Sequence, residues 1–307
     1  MLKLELLQAI GSSYYLSGKL SVGVYLNEAN RTAVLIDSGP NAGIAKALDR
    51  LLRNMGYSVS AIINTHAHVQ QYGGNYYFQE TYPDIRVYSS ELSAPFIQYP
   101  WLGHSYGAAE TLLVEEEKVK HQVVVTDMIP YEDRAIHIDG AAFTIVTLPG
   151  HSPDMIGVIT PDNVLYGSDA LFGKQTLMRQ KLLYYNDIKS ARATFNKLSA
   201  SAVSSYVFNH GGYCTDISEL VHDHFERLEQ CLQDVEAIIR AHAMTYEQIV
   251  KEVLLHYEIE DNSTAYMAIS SIVRALLNEL KRTNKINCFV EKGQLVIKQS
   301  NVVSRTI

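Results

Sequence analysis

An apolar, strand-like run, Ala61-Ile62-Ile63, leads directly into Asn64-Thr65-His66-Ala67-His68-Val69-Gln70-Gln71-Tyr72-Gly73-Gly74-Asn75. No other stretch constrains the fold as much. Two imidazoles set two residues apart after a strand can face one metal ion if the chain turns sharply, and Gly73-Gly74 supplies backbone freedom close by. The strand therefore ends at a candidate metal site. His-x-His alone is weak evidence, so the rest of the chain has to decide the matter.

From residue 2 to about 36, the runs Tyr14-Tyr15-Leu16, Val22-Gly23-Val24-Tyr25-Leu26 and Ala33-Val34-Leu35-Ile36 are separated by Gly, Ser and Asn clusters. They predict a β-meander. Ile44 to Leu52 carries apolar residues at helical spacing, and that helix stops at Gly56, before the strand that delivers His66. The alternation recurs, with strands near Thr144 to Leu148, Ile156 to Ile159 and Val164 to Tyr166, a helix from about Asp187 to Leu198, and a strand at Tyr206 to Phe208. Two β-rich halves with helices between them predict stacked sheets covered by helices. Residues 98 to 121 between the halves are irregular, aromatic at first (Tyr99, Trp101, Tyr106) and then acidic (Glu115, Glu116, Glu117). Such a segment reads either as a lid or binding loop, with His104 a candidate substrate contact, or as a solvated crossover.

Three more segments place metal-ligand types in order along the chain: Leu148-Pro149-Gly150-His151-Ser152-Pro153-Asp154, Val164-Leu165-Tyr166-Gly167-Ser168-Asp169-Ala170 and Val207-Phe208-Asn209-His210-Gly211-Gly212. A fourth, Val34-Leu35-Ile36-Asp37-Ser38-Gly39, lies upstream. Together with the His66 segment they resemble the motif series of the metallo-β-lactamase superfamily, whose first signature is H-x-H-x-D-H-x-G-G. The match fails at two positions, where Gln70 and Gln71 replace the aspartate and histidine. The resemblance covers residues 33 to 212 and implies an α+β fold, a four-layer αββα sandwich with its metal in a cleft at one edge of the two sheets. It implies that His66, His68 and His151 form a three-histidine site with an open position for water, which zinc can acidify to a pKa of about 7. It also implies that Asp169 and His210 remain from a second site. A glutamine amide oxygen is a poorer zinc ligand than a carboxylate or imidazole, so the expected occupancy is one tight zinc with the second site weak or absent, iron being possible. Gln70 cannot act as a base, which leaves Asp169 as the candidate carboxylate for that duty and His210 as a proton donor or substrate contact. Asp37 and Asp154 read as turn or supporting residues rather than catalysts.

After His210 the pattern changes, since Ile217, Leu220, Val221, Phe225, Leu228, Leu232, Val235, Ile238 and Ile239 form one stripe on a long helix. The domain boundary is set there, giving residues 1–216 as the metal-binding domain and 217–307 as a linker helix with a winged-helix-like module. Within that module Thr245-Tyr246-Glu247-Gln248 is a capping-box pattern, Ile269 to Leu280 a second helix, and Ile286 to Val290 with Leu295 to Ile297 a hairpin. His222 and His224 lie two apart on a helix, hence on different faces.

The 307 residues carry a net charge of -7, which argues against a general nucleic-acid surface, and residues 245 to 307 are nearly balanced. A homodimer through the C-terminal helices is reasonable. No apolar run approaches the roughly 18 residues that a membrane span needs, and the N-terminus lacks a signal-peptide core, so the expected location is the cytoplasm. Cys214, Cys231 and Cys288, an odd number widely spaced, read as reduced thiols. The leading functional reading is a metal-dependent hydrolase that uses metal-bound hydroxide on an ester, thioester or phosphodiester of a small molecule. The alternatives are a non-catalytic sensor or docking protein of the same fold and a mononuclear iron dioxygenase using His66, His151 and Asp169.

Overall fold

A computed structural model describes residues 4–18, 20–102 and 123–300. His104, Tyr106 and the acidic run at 115–117 lie outside them. Strands β1 (Glu5–Ile10), β2 (Ser13–Ser17), β3 (Val22–Asn27), β4 (Thr32–Ile36), β5 (Ser58–Asn64), β6 (Arg86–Ser90) and β7 (Asp127–Ile129) form one sheet in that order. The first four make the antiparallel meander that the turn clusters predict. Strands β4 to β7 run parallel, because helix α1 (Ala42–Asn54) carries the chain back across the sheet before β5. Asn41 starts that helix by accepting hydrogen bonds from the Gly43 and Ile44 N–H groups. Short helices α2 (Val69–Tyr72), α3 (Asn75–Thr81) and α4 (Ala94–Gln98) follow β5 and β6.

The second sheet has the order β13-β12-β11-β10-β9-β8, from β8 (Arg134–Ile138), β9 (Ala141–Thr147), β10 (Ile156–Ile159), β11 (Val164–Ser168), β12 (Ser205–Phe208) and β13 (Gly212–Cys214). Its one parallel pair, β11 with β12, is bridged by α5 (Lys174–Arg179) and α6 (Ile188–Ser199).

Alternation along the strands sorts the apolar side chains into layers. Val34, Ile36, Ala61 and Ile63 join Phe143, Ile145, Ile156, Val158, Val164 and Val207 in a core between the sheets. The intervening Ala33, Leu35 and Ile62 pack instead with Ala45, Leu48 and Leu52 of α1, joined by Val59 because the register between β4 and β5 shifts after it. Leu165, Tyr206 and Phe208 face the other way, onto Ala191, Phe195 and Leu198 of α6. Helix, sheet, sheet, helix is the four-layer arrangement that the resemblance implies.

The chain continues through α7 (Ser218–Arg240), β14 (Met244–Thr245), α8 (Tyr246–His256), α9 (Ser263–Arg282) and the hairpin β15 (Ile286–Glu291) with β16 (Gln294–Gln299). Thr245 and Gln248 form the capping box, and the two-residue hairpin turn places Lys292 and Gly293 both at positive φ, as a type I′ turn requires. Leu220, Val221, Leu228, Leu232 and Val235 of α7 belong to the same apolar cluster as Phe195 and Phe208 on one side and Val250, Val273 and Ile297 on the other. The C-terminal helices are thereby continuous with the outer core of the second sheet. Arg192 of α6 reinforces the junction by donating to Glu279 of α9 at 2.7 Å. Among the described residues no helix is long and apolar enough to cross a membrane.

Candidate metal centre

Each motif sits just past the end of a strand, where backbone groups leave the ladder and side chains can converge. His66 and His68 follow β5, and His68 is the N-cap residue of α2. His151 follows β9, Asp169 follows β11 and His210 follows β12. Glycine is required at two of these turns. A side chain on Gly73 would meet the Pro40 carbonyl oxygen at 2.2 Å, and one on Gly150 would meet the Ala191 Cα at 2.5 Å, with φ of +141° at Gly150. Asp37 and Ser168 take up left-handed backbone without being glycine, with φ of 65° and 50°.

The His66-Ala67-His68 loop is pinned from both sides. Asp37 accepts the Thr65 N–H on Oδ1 at 2.8 Å and the Thr65 hydroxyl on Oδ2 at 2.9 Å. Asp154 accepts the Ala67 N–H at 3.0 Å and the Ser93 hydroxyl at 2.6 Å on one oxygen. Both carboxyl groups hold the loop rather than enter the cluster, in keeping with the supporting role expected of them. Burial pushes Asp37 up to about 8, against the pull of its two bonds from Thr65.

His66 Nε2 and His151 Nε2 lie 2.9 and 3.1 Å from His68 Nδ1. Asp169 Oδ2 lies 3.6 Å from His66 Nε2 and 3.5 Å from His151 Nε2. Donors bound at about 2.0–2.1 Å around a tetrahedral zinc would sit about 3.3 Å apart, and the two separations from His68 Nδ1 come within a few tenths of an ångström of that, with all four ligand atoms within 4.8 Å of one another. For two of the rings the far side fixes which nitrogen is free. His151 Nδ1 faces the Tyr184 carbonyl oxygen at 3.0 Å and must donate to it, leaving the Nε2 lone pair for the cluster. His66 Nδ1 faces the Thr65 hydroxyl at 3.2 Å, and that hydroxyl already donates its proton to Asp37. Burial, reinforced by mutual repulsion, holds His66 well below the usual imidazole range. Burial likewise lowers His68 and His151, each to about 4. All three rings are therefore neutral at pH 7, the form that binds a cation.

Asp169 is buried, which raises its carboxyl above the ordinary range, while His210 and His68 pull it down. Its Oδ2 accepts from Gln71 Nε2 at 3.1 Å, and its Oδ1 lies 3.7 Å from His210 Nε2. Asp169 Oδ1 and Gln71 Oε1 are buried with no hydrogen-bond partner among the described residues. Orphaned acceptors in so dry a place call for a cation or a proton donor. Among the described residues one group meets the geometry of a metal site, namely His66, His68, His151 and Asp169. His210 stands at the rim, its side chain 26% exposed.

The two glutamines part company in the fold. Gln71 is buried on Asp169, whereas Gln70 is exposed on α2. The sequence treats them alike as substitutes for second-site ligands, and it does not reveal that Gln71 donates to Asp169. It also gives no reason to pick out Phe172 or His224. The Phe172 ring lies 6.1 Å from His151 and 5.9 Å from His210, and the buried His224 accepts the Phe172 N–H. His222 is exposed on the opposite side of α7, as the spacing predicts.

The family model for the metallo-beta-lactamase superfamily matches residues 18–210. Hydroxyacylglutathione hydrolase from Gloeobacter violaceus is 42% identical over 69 residues, a match that spans 22% of this chain and 26% of that protein. Two solved structures align over nearly the whole length. A metallo-beta-lactamase family protein from Thermus thermophilus has a TM-score of 0.71 at 17% identity and covers 97% of this chain and 98% of its own. A beta-lactamase domain protein from Burkholderia ambifaria has a TM-score of 0.74 at 14% identity, covering 96% and 94%. A metallo-beta-lactamase from Pontibacter korlensis covers 74% of this chain and 99% of its own, with a TM-score of 0.57 at 18% identity. The structural likenesses show the fold, and the model match extends across all the histidine motifs: the chain belongs to the metallo-β-lactamase superfamily.

Proposed function

We propose that this protein is a metal-dependent hydrolase with one tightly held metal ion, zinc by preference, bound by His66, His68 and His151 with Asp169 beside them. The observation that carries the reading is the convergence of three neutral ring nitrogens, two of them within 2.9–3.1 Å of the third. Three uncharged imidazoles suit zinc, which would supply Lewis acidity and lower the pKa of a water it binds. Asp169 would be the carboxylate that takes a proton from a water held beside it, a reading supported by an Oδ1 left without a hydrogen-bond partner among the described residues. His210 would orient the substrate or pass the proton on, a reading supported by its partial exposure at 3.7 Å from that oxygen. The Gln71 amide occupies Asp169 Oδ2 with a neutral donor, which disfavours a tight second ion there. The substrate is read as a small-molecule ester, thioester or phosphodiester, and the name of the Gloeobacter relative favours acyl transfer to water.

Metal analysis of protein purified without added metal, followed by a panel of the three ester classes, tests the reading. One zinc per chain is expected, with turnover that disappears in His68→Ala. Iron with oxygen consumption would replace this reading by an oxygenase, and a metal-free, inactive chain by a binding protein.

A further inference from the structure

Among the described residues the loop that carries Asp169 makes one hydrogen bond to the C-terminal helices. After β11 the chain runs Asp169-Ala170-Leu171-Phe172-Gly173 before α5 begins. The Ala170 carbonyl accepts the Tyr185 hydroxyl at 2.9 Å, and the Gly173 N–H donates to the His210 carbonyl at 3.2 Å. Between them, the Phe172 N–H donates to His224 Nε2 of α7 at 2.9 Å. The same imidazole gives its Nδ1 proton to the Leu220 carbonyl one helical turn back, at 2.7 Å. A carbonyl only accepts and an amide N–H only donates, so His224 is held as the neutral Nδ1–H form with its Nε2 lone pair on Phe172.

The surroundings argue that hydrogen bonding, not packing, is what this side chain contributes. His224 is fully buried, with its ring stacked on Phe172 (centroids 6.0 Å apart, planes at 22°) and Tyr185 and Phe195 edge-on. Leucine or phenylalanine would fill such an aromatic box without the cost of desolvating an imidazole. What the imidazole adds is an acceptor for one buried N–H. The ring of Phe172, stacked on His224, lies 6.1 Å from the His151 ring and 5.9 Å from that of His210.

We propose that His224 is a positioning residue of the metal centre: from α7 it fixes the Phe172 backbone, and through it the Asp169 loop and the aromatic wall between His151 and His210. The inference rests on the metal-centre reading above. It makes the first helix after the histidine motifs a working part of the site.

Zinc affinity, measured by chelator competition at pH 7.5, tests it in the wild-type chain, His224→Leu and His224→Gln. Leucine cannot accept the Phe172 N–H, and zinc should bind about 10-fold more weakly, the low end of what removing a ligand's own hydrogen-bond partner costs, since His224 acts one step further out. Glutamine can accept it and should restore binding to within about threefold of wild type. Equal affinity in all three folded proteins, or glutamine no better than leucine, overturns the role of His224. A wild-type chain that takes up no zinc overturns the metal reading instead. Should the leucine variant fail to fold, the glutamine comparison stands beside the imidazole nitrogen spectrum of the wild type. That spectrum must show His224 protonated at Nδ1 and bare at Nε2, and the opposite tautomer overturns the proposal.

Discussion

Replacing His224 by glutamine should make folding less sensitive to acid by about 2 kcal/mol between pH 7.5 and 5.0. Burial lowers the His224 imidazole to about 4, assisted by Arg227 and opposed by its bond to the Leu220 carbonyl and by Asp223. An unfolded chain carries the same group near 6.5. The folded value is therefore depressed for a base, and as pH falls below about 6.5 the unfolded state gains a proton that the folded state refuses. Stability from this residue is complete above that pH and is lost progressively down to about 4, each unit of separation being worth about 1.4 kcal/mol. At pH 5.0 the unfolded histidine is almost fully protonated and the folded one is still mostly neutral, which yields the figure of about 2 kcal/mol. Urea unfolding followed by circular dichroism at both pH values, with chelator present, measures it. His66, His68 and His151 also resist protonation, but they do so in both proteins and cancel in the comparison. If wild type and His224→Gln lose the same stability to within about 0.5 kcal/mol, the buried neutral histidine is misassigned.

Restoring the superfamily pair with Gln70→Asp and Gln71→His should raise the metal content from one to two ions per chain by elemental analysis. Unchanged stoichiometry would show that the glutamines do not set occupancy. Gly150→Ala puts a methyl 2.5 Å from the Ala191 Cα at a φ of +141°, so a loss of about 3 kcal/mol or more is expected in thermal or urea unfolding. Asp154→Ala frees the Ala67 N–H and should weaken zinc about tenfold in a chelator titration while the far-ultraviolet spectrum stays native. Glu279→Gln removes the charge from a buried group that Arg192 and Arg282 donate to, their side chains being 25% and 50% exposed. Screening at that exposure limits the loss to about 1–2 kcal/mol, read from the urea midpoint.

Much of the fold is legible along the chain because the signals are local. Alternation in Ala33-Val34-Leu35-Ile36 separates the inter-sheet core from the α1 face residue by residue. Thr245 and Gln248 announce α8 because a capping box is built within one turn. The strand β1 is less legible, since none of its residues is fully buried and its apolar residues, Leu6, Leu7, Ala9 and Ile10, keep no strict period. At the site the histidines His66, His68 and His151 are legible through their motifs, and the fold brings their nitrogens to within hydrogen-bond distance.

Residue order alone establishes the succession of metal-ligand motifs, the helical stripe beyond them and the loss of two expected ligands at Gln70 and Gln71. Each of these is a matter of residue type and spacing, which the chain displays directly. It took packing in three dimensions to settle that Gln71 is buried and donates to Asp169 while Gln70 is exposed, and that His224 accepts the Phe172 N–H from a helix 52 residues downstream. A hydrogen bond depends on where two groups end up to within a few tenths of an ångström, and that closeness arises only when strands, loop and helix are packed together.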